Sequence, residues 1–184
     1  LATKTSPKVA TSGPIRVTVQ GVKVRIGEIT CDDLDQFKAV KKVKSAPFIR
    51  MSERKFKDGI QKLLGERGKF PDWGGEPNDL FTKALFRGKR VSIAFAFKGP
   101  GMQGVLTPGK LGKNGDQIQR LFRSPADIFI VQYYGQIAES VLDQMKAWAT
   151  LNSVREGKKI WYGIINGDDS NRIMAAYPKK FGLR

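Results

Sequence analysis

The residues best suited to chemistry lie between Asp79 and Gln117, on either side of an apolar stretch that ends in a lysine. Asp79 comes at the start of one predicted strand, and Lys98 ends the next, whose residues 91–97 read VSIAFAF. A glycine-rich loop follows, and a predicted helix then begins with Asp116 and Gln117. Carboxylates that can hold Mg²⁺, with a lysine beside them, are residue types that phosphodiester chemistry uses.

Positive charge is concentrated around these residues. Between residues 83 and 123 the chain has nine Lys and Arg against one acid, Asp116, so this stretch carries +8 of the formal net charge of +16. A polyanion is the expected partner, and DNA is favoured over a membrane surface because no strongly amphipathic basic helix stands out. The open alternative is a basic, solvated surface that serves solubility. Contacts to nucleic acid are expected from Arg87, Lys89, Arg90, Lys110, Lys113 and Arg120.

The residue types that are missing narrow the chemistry further. The chain has no histidine, which excludes imidazole as a catalytic base or metal ligand. A nuclease built from this chain must therefore use carboxylates that hold Mg²⁺ (or Mn²⁺), with a lysine beside them. Cys31 is the only cysteine, which excludes an intrachain disulfide and a cysteine-rich zinc site.

The chain divides into a tail, an N-terminal segment and one α/β domain. Residues 1–14 form a Ser/Thr/Pro-rich tail or linker, 15–46 an N-terminal β-hairpin and helix, and 47–184 the α/β domain. No apolar run reaches about 18 residues, so we expect a soluble, cytoplasmic protein. Because the chain begins at Leu1 rather than at a methionine, further domains of a longer protein are one expectation.

Apolar periodicity predicts alternating helices and strands. The predicted helices cover residues 31–43, 53–65, 114–122, 137–151 and 170–177, and the predicted strands cover 15–19, 22–26, 79–86, 91–98, 127–134 and 159–165. The second half alternates helix with strand, which favours parallel pairing in an α/β layer structure.

This order of elements resembles that of the PD-(D/E)xK nuclease superfamily over about residues 50–135. The motif's first acid corresponds to Asp79 in Pro77-Asn78-Asp79, and its lysine corresponds to Lys98 in Ala96-Phe97-Lys98. Glu53 matches a helical acid that some members add as a metal ligand. The resemblance implies a restriction-endonuclease-like central mixed sheet flanked by helices, with catalytic residues Asp79, Lys98, Asp116, Gln117 and Glu53.

The sequence departs from the motif at Ala96, where the family carries its second acid. Three explanations stay open: an inactivating substitution, a site that has degenerated to binding alone, or a carboxylate that has moved to the following helix. Asp116, 18 residues beyond Lys98, is the candidate for the moved acid, with Gln117 beside it as in exonuclease-like members. The expected metal ligands are then Asp79 and Asp116, with Glu53 or Glu76 as a further candidate.

The leading expectation is a metal-dependent DNA endonuclease domain. By analogy with the family, it would act in a bacterial restriction or anti-phage system. Paired cutting of a duplex would make a homodimer reasonable. Two alternatives remain: a catalytically inactive nucleic-acid-binding domain of the same fold, and a basic scaffold module that binds protein or RNA. Binding that falls steeply with salt would favour a DNA reader over the scaffold.

Overall fold

A mixed five-stranded β-sheet organises the fold, which was obtained as a computed structural model describing residues 21, 23–66 and 78–183. The strands are β1 (Ile26–Glu28), β2 (Leu80–Phe86), β3 (Lys89–Lys98), β4 (Ile128–Tyr133) and β5 (Ile160–Ile165). Their order across the sheet is β1-β5-β4-β3-β2. Only the β2–β3 pair is antiparallel, and β3–β4, β4–β5 and β1–β5 are parallel.

The β2–β3 hairpin forms where the sequence predicts it. Its two-residue turn, Arg87-Gly88, has φ values of 53° and 75°, which suits the tight turns whose twist matches that of paired strands. Beyond the turn, residues 93–97 of β3 and all of β4 are buried on both faces, and all but Gln132 are apolar, as expected for central strands covered by helices.

In the part of the chain that the structure describes, four α-helices cover the sheet. They are α1 (Glu53–Leu64), α2 (Gln117–Leu121), α3 (Glu139–Glu156) and α4 (Gly167–Ala176). The α1 helix begins at a Ser52 cap, whose side chain accepts a hydrogen bond from the backbone of Lys55, and ends at Gly65 in the left-handed region. Within the described ranges, no helix is long and apolar enough to cross a membrane.

Two apolar clusters form, one on each face of the sheet, because alternate residues of a strand point to opposite sides. Phe95 and Phe97 face α1 and α4, where they pack in the cluster that contains Phe56. Ala94 and Ala96 belong to the opposite cluster, with residues of α2 and α3. The small alanines on this second face leave room for the large side chains of those helices.

The N-terminal segment was predicted to form a β-hairpin. The first strand of the predicted hairpin, residues 15–19, lies outside the described residues. In the predicted second strand, 22–26, residues 23–25 are not strand, and β1 begins only at Ile26, in parallel pairing with β5.

The helix predicted over 31–43 was wrong in type. The chain instead forms two 3₁₀ helices, Cys31–Asp33 and Asp35–Lys42. Leu34 between them is extended, with ψ of 134°, fully buried, and bridged to Phe86. Burial of this side chain against the hairpin interrupts the helix.

The remaining elements confirm the general α/β prediction. The predicted helices and strands after residue 50 all occur, with ends shifted by a few residues and with α3 longer than expected. The parallel pairing expected for the second half is also present. That the sheet is of the restriction-endonuclease-like type stays a prediction.

Candidate functional site

The carboxyl ends of β3, β4 and β5 meet at one edge of the sheet, the position where parallel α/β sheets usually bind ligands. Lys98 is the last residue of β3 and pairs with Tyr133 of β4. Its backbone carbonyl accepts a hydrogen bond from the backbone of Tyr134 at 3.4 Å. Lys98 is partly buried, so its position is set by the strand rather than by a mobile loop.

Asp79 is held against the end of β3 by two hydrogen bonds. Its backbone N–H donates to the carbonyl of Phe95 at 2.8 Å. Its Oδ2 accepts the backbone N–H of Phe97 at 2.6 Å. Because these partners flank Ala96, Asp79 lies across the hairpin from Ala96 and close to Lys98. Pairing of β2 with β3 thus brings Asp79 to the end of β3.

Gln117 joins the same group from the other side. The first residue of α2, it is 6% exposed and donates from Nε2 to Oδ2 of Asp79 at 3.3 Å. Its Oε1 is buried and has no hydrogen-bond partner among the residues that the structure describes. A buried polar atom without a partner is costly, and such atoms in folded proteins often mark a site for an ion or water.

Glu53 reaches the same strand end from the opposite face of the sheet. Its Oε2 accepts the backbone N–H of Gly99 at 2.8 Å. Residue 99 must be glycine for this contact, since a Cβ atom there would lie 2.6 Å from the Cβ of Glu53. Glu53 and Lys98 line one narrow cleft together.

Asp116, which was expected to be a metal ligand beside Asp79, instead pairs with an arginine. Its Oδ2 forms an ion pair with Nε of Arg120, four residues along the chain, at 3.1 Å, and its side chain is 40% exposed. Among the residues that the structure describes, no group of three or more Cys, Asp or Glu side chains could hold a metal ion. Asp79, Asp116 and Glu53 therefore do not form a three-carboxylate set, and Glu76 lies outside the described residues.

Ala96 is the residue that the predicted resemblance aligns with the second acid of the PD-(D/E)xK motif. It is 1% exposed and belongs to the apolar cluster under α2 and α3. A side chain added here would point into that cluster, so the local packing suits an alanine.

The predicted nucleic-acid contacts fall into two separate places. Arg87, Lys89 and Arg90 lie at the start of β3, and ten strand residues place them about 30 Å from Lys98. The Arg87 guanidinium stacks on Phe86 and Trp161, at 4.9 and 5.0 Å from the ring centroids. They therefore lie at the opposite end of β3 from Lys98, and their contact with nucleic acid stays a prediction.

The other predicted contacts lie in or next to the loop after β3. Lys110 donates from Nζ to the backbone carbonyls of Gln103 and Val105, at 3.0 and 2.9 Å, and so holds the loop together. Lys113 is exposed. Arg120 pairs with Asp116. Lys110 is exposed as well, whereas Arg120 is partly buried.

One feature of this edge was missed from the sequence: a cavity of about 400 Å³ beside the Lys98 cleft. Ten residues from four separate segments line it, namely Phe48, Gly104, Val105, Tyr134, Gly135, Gln136, Asn166, Gly167, Asp168 and Asn171. Such a set has no linear motif. The available signal was that Gly135 and Gly167 each follow shortly after a predicted strand, where loops at a sheet edge build sites.

Comparison of the chain with protein-family models, with curated proteins and with solved structures found no match. The candidate site therefore rests on its own geometry.

Proposed function

We propose that this chain is a metal-dependent deoxyribonuclease domain whose phosphodiester site lies at the end of β3. One observation carries the proposal: Asp79 and Gln117 meet beside Lys98, and Gln117 keeps a buried oxygen without a partner. A carboxylate, an amide oxygen and a lysine ammonium at the carboxyl edge of a parallel sheet are suited to a phosphate with its divalent cation.

The donor set fits Mg²⁺ or Mn²⁺. Both ions prefer oxygen ligands, and the Asp79 carboxylate and Gln117 Oε1 supply them. An ion there would give Gln117 Oε1 the partner that the described part of the chain does not provide. When bound, it would polarise the scissile phosphate as a Lewis acid. Glu76, three residues before Asp79 in the chain, is the further acid to test.

Lys98 has the second role in this proposal. Its strand position beside Asp79 lets the ammonium neutralise charge that builds on the phosphate oxygens and donate a hydrogen bond that orients the attacking water. Glu53 is a positioning residue, because its carboxylate fixes Gly99, the residue after Lys98. The chain's formal charge of +16 supports binding of the polyanionic substrate.

A second candidate function is a nucleic-acid-binding domain without catalysis. Two observations favour it: Ala96 is buried in the apolar cluster, and Asp116 is paired with Arg120. Such a domain would bind DNA through its basic surface, with an affinity that falls steeply with salt and does not need a divalent ion.

Metal binding separates the two candidates. Titration calorimetry with Mg²⁺ and with Mn²⁺ is expected to give a heat of binding for the wild-type chain that Asp79→Asn and Gln117→Met each abolish. Gln144→Met is the matched control, since its Oε1 is also buried without a partner but lies on α3. If the wild-type chain binds neither ion yet retains salt-sensitive DNA binding, the nuclease proposal fails and the binding domain remains.

A further inference from the structure

The cavity of about 400 Å³ lies at the carboxyl edge of the sheet, between the ends of β4 and β5 and the start of α4. Its volume falls within the range of about 300–1000 Å³ that small-molecule sites occupy. It shares two lining residues, Tyr134 and Asn171, with the narrow cleft that contains Lys98 and Glu53. The two spaces are therefore neighbours along one edge.

The floor of the cavity is built by close backbone contact. The N–H of Gly167 donates to the carbonyl of Gly135 at 2.9 Å. A Cβ atom on Gly167 would lie 2.4 Å from the carbonyl oxygen of Tyr134, so only glycine allows this approach. These contacts hold the ends of β4 and β5 together, and the cavity is pre-formed rather than dependent on closure.

An aromatic side chain stands over the cavity with most of its surface in solvent. Phe48 is 62% exposed, and its ring centroid lies 6.5 Å from that of Tyr134. Its segment is anchored, since the N–H of Ile49 donates to Oδ1 of Asn171 at 3.0 Å. An exposed aromatic ring on an anchored segment offers a stacking surface for a flat ligand.

The charges around the cavity disfavour a phosphate as its occupant. The first turn of α4 carries two acids, Asp168 and Asp169, where a helix that bound an anion would present free N–H groups. None of the described lining residues is Lys or Arg. Asp168 and Gln136 instead offer oxygen acceptors, which suit the exocyclic amino group of a nucleobase. Asn166 Oδ1 caps α4, where it accepts the N–H of Asp169 at 2.9 Å.

We infer that this cavity binds an unpaired nucleobase that carries an exocyclic amino group, in the same strand whose phosphate lies at Lys98. The inference rests on the proposed function, because it takes that strand as the substrate. It adds that the substrate is single-stranded, or locally unpaired, at the site. Stacking on Phe48 provides sequence-tolerant affinity, and the Asp168 carboxylate favours adenine and cytosine over thymine.

Fluorescence anisotropy tests this with three labelled single strands of equal length, oligo(dA), oligo(dT) and an abasic oligomer, without divalent metal so that nothing is cut. Phe48→Ala should weaken binding of oligo(dA) about 5- to 150-fold and leave the abasic oligomer unaffected. Asp168→Asn should weaken oligo(dA) but not oligo(dT). Leu151→Ala, which truncates another exposed apolar residue on α3, should match the wild-type chain.

The outcomes separate this inference from the proposed function. Wild-type binding to all three strands with equal affinity, or an equal effect of Phe48→Ala on all three, overturns base binding and leaves the phosphate site standing. Binding of no single strand by the wild-type chain overturns this inference, and metal-dependent cutting of duplex plasmid then decides the proposed function separately. The inference is supported if Phe48→Ala weakens oligo(dA) and spares the abasic oligomer, and if Asp168→Asn weakens oligo(dA) and spares oligo(dT), even when the chain cuts nothing once metal is added.

Discussion

Gln117 donates from Nε2 to Oδ2 of Asp79 at 3.3 Å, and this bond ties the first residue of α2 to the start of β2. The side-chain amide of Gln117 therefore contacts Asp79, whereas the carboxylate of the adjacent Asp116 pairs with Arg120. The amide and carboxylate together present oxygen ligands next to Lys98, at the edge where parallel strands end.

Gln117→Met should separate stability from metal binding. It removes a buried oxygen without a partner, which offsets loss of the 3.3 Å bond to Asp79, so the free energy of unfolding should stay within about 1 kcal/mol or rise. Metal binding should be lost. Urea unfolding and calorimetry measure the two effects. A large destabilisation with metal binding intact would show that Gln117 is structural only.

Gly99→Ala should displace the start of α1 from the end of β3. The new Cβ would lie 2.6 Å from Glu53 Cβ and 2.9 Å from Glu53 N, and we expect a loss of about 1–3 kcal/mol in the free energy of unfolding. Gly101→Ala is the control, since a Cβ there meets nothing within 4 Å. Equal unfolding midpoints for the two variants would contradict the close contact.

Ala96→Glu should be less stable than Ala96→Gln at neutral pH. Both place a polar group where Ala96 is 1% exposed in an apolar cluster, but only the glutamate buries a charge, with a cost of about 3–5 kcal/mol if it finds no partner. Thermal unfolding with and without Mg²⁺ checks this. If Mg²⁺ stabilises Ala96→Glu specifically and the variant gains cutting, the natural site is an inactivated one.

Acid should destabilise the protein partly through Asp127. Burial raises the pKa of this carboxyl, but hydrogen bonds from Ser92 and Lys158 outweigh it, so the pKa is lowered from 3.8. The stability it contributes is present above about pH 4 and is lost as pH falls through the lowered pKa. Asp127→Asn should therefore flatten the fall in the free energy of unfolding between about pH 5 and pH 2.

Asp169 provides a control of opposite sign. Burial raises its pKa above 3.8 despite the neighbouring Arg172. Ionisation of Asp169 therefore lowers the free energy of unfolding as pH rises from the unfolded pKa through the raised folded pKa. The free energy of unfolding should therefore rise more steeply between about pH 2 and pH 5 in Asp169→Asn than in the wild-type chain. Changes of the same sign in both variants would contradict the electrostatic assignment of these two carboxyls.

The parts of the fold that could be predicted are those set by local pattern. Residues 91–97 are apolar at nearly every position, so β3 reads directly as a central strand, and Arg87-Gly88 marks the hairpin turn. The 3₁₀ segments could not be predicted, because burial of Leu34 against Phe86 is a tertiary contact. The same holds for the cavity beside Lys98, which depends on four segments brought together by the sheet.

In the candidate site, too, strand pairing could be read from the sequence, whereas side-chain contacts could not. Hairpin spacing was sufficient to bring Asp79 to the end of β3, and the bond to Phe97 confirms that proximity. The side-chain direction of Asp116 was not predictable. An arginine four residues later competes for its carboxylate, and helix geometry brings Arg120 within reach at 3.1 Å.

The most direct test of the central claim is cutting of supercoiled plasmid with Mg²⁺ or Mn²⁺ by the wild-type chain, Lys98→Ala and Lys89→Ala. The two lysines lie at opposite ends of β3, so they match in type and strand but differ in distance from Asp79. We expect the wild-type chain to cut plasmid only with the metal, Lys98→Ala to lose this activity, and Lys89→Ala to keep most of it. Cutting that needs no metal, equal loss in both variants, or no cutting by the wild-type chain would contradict it.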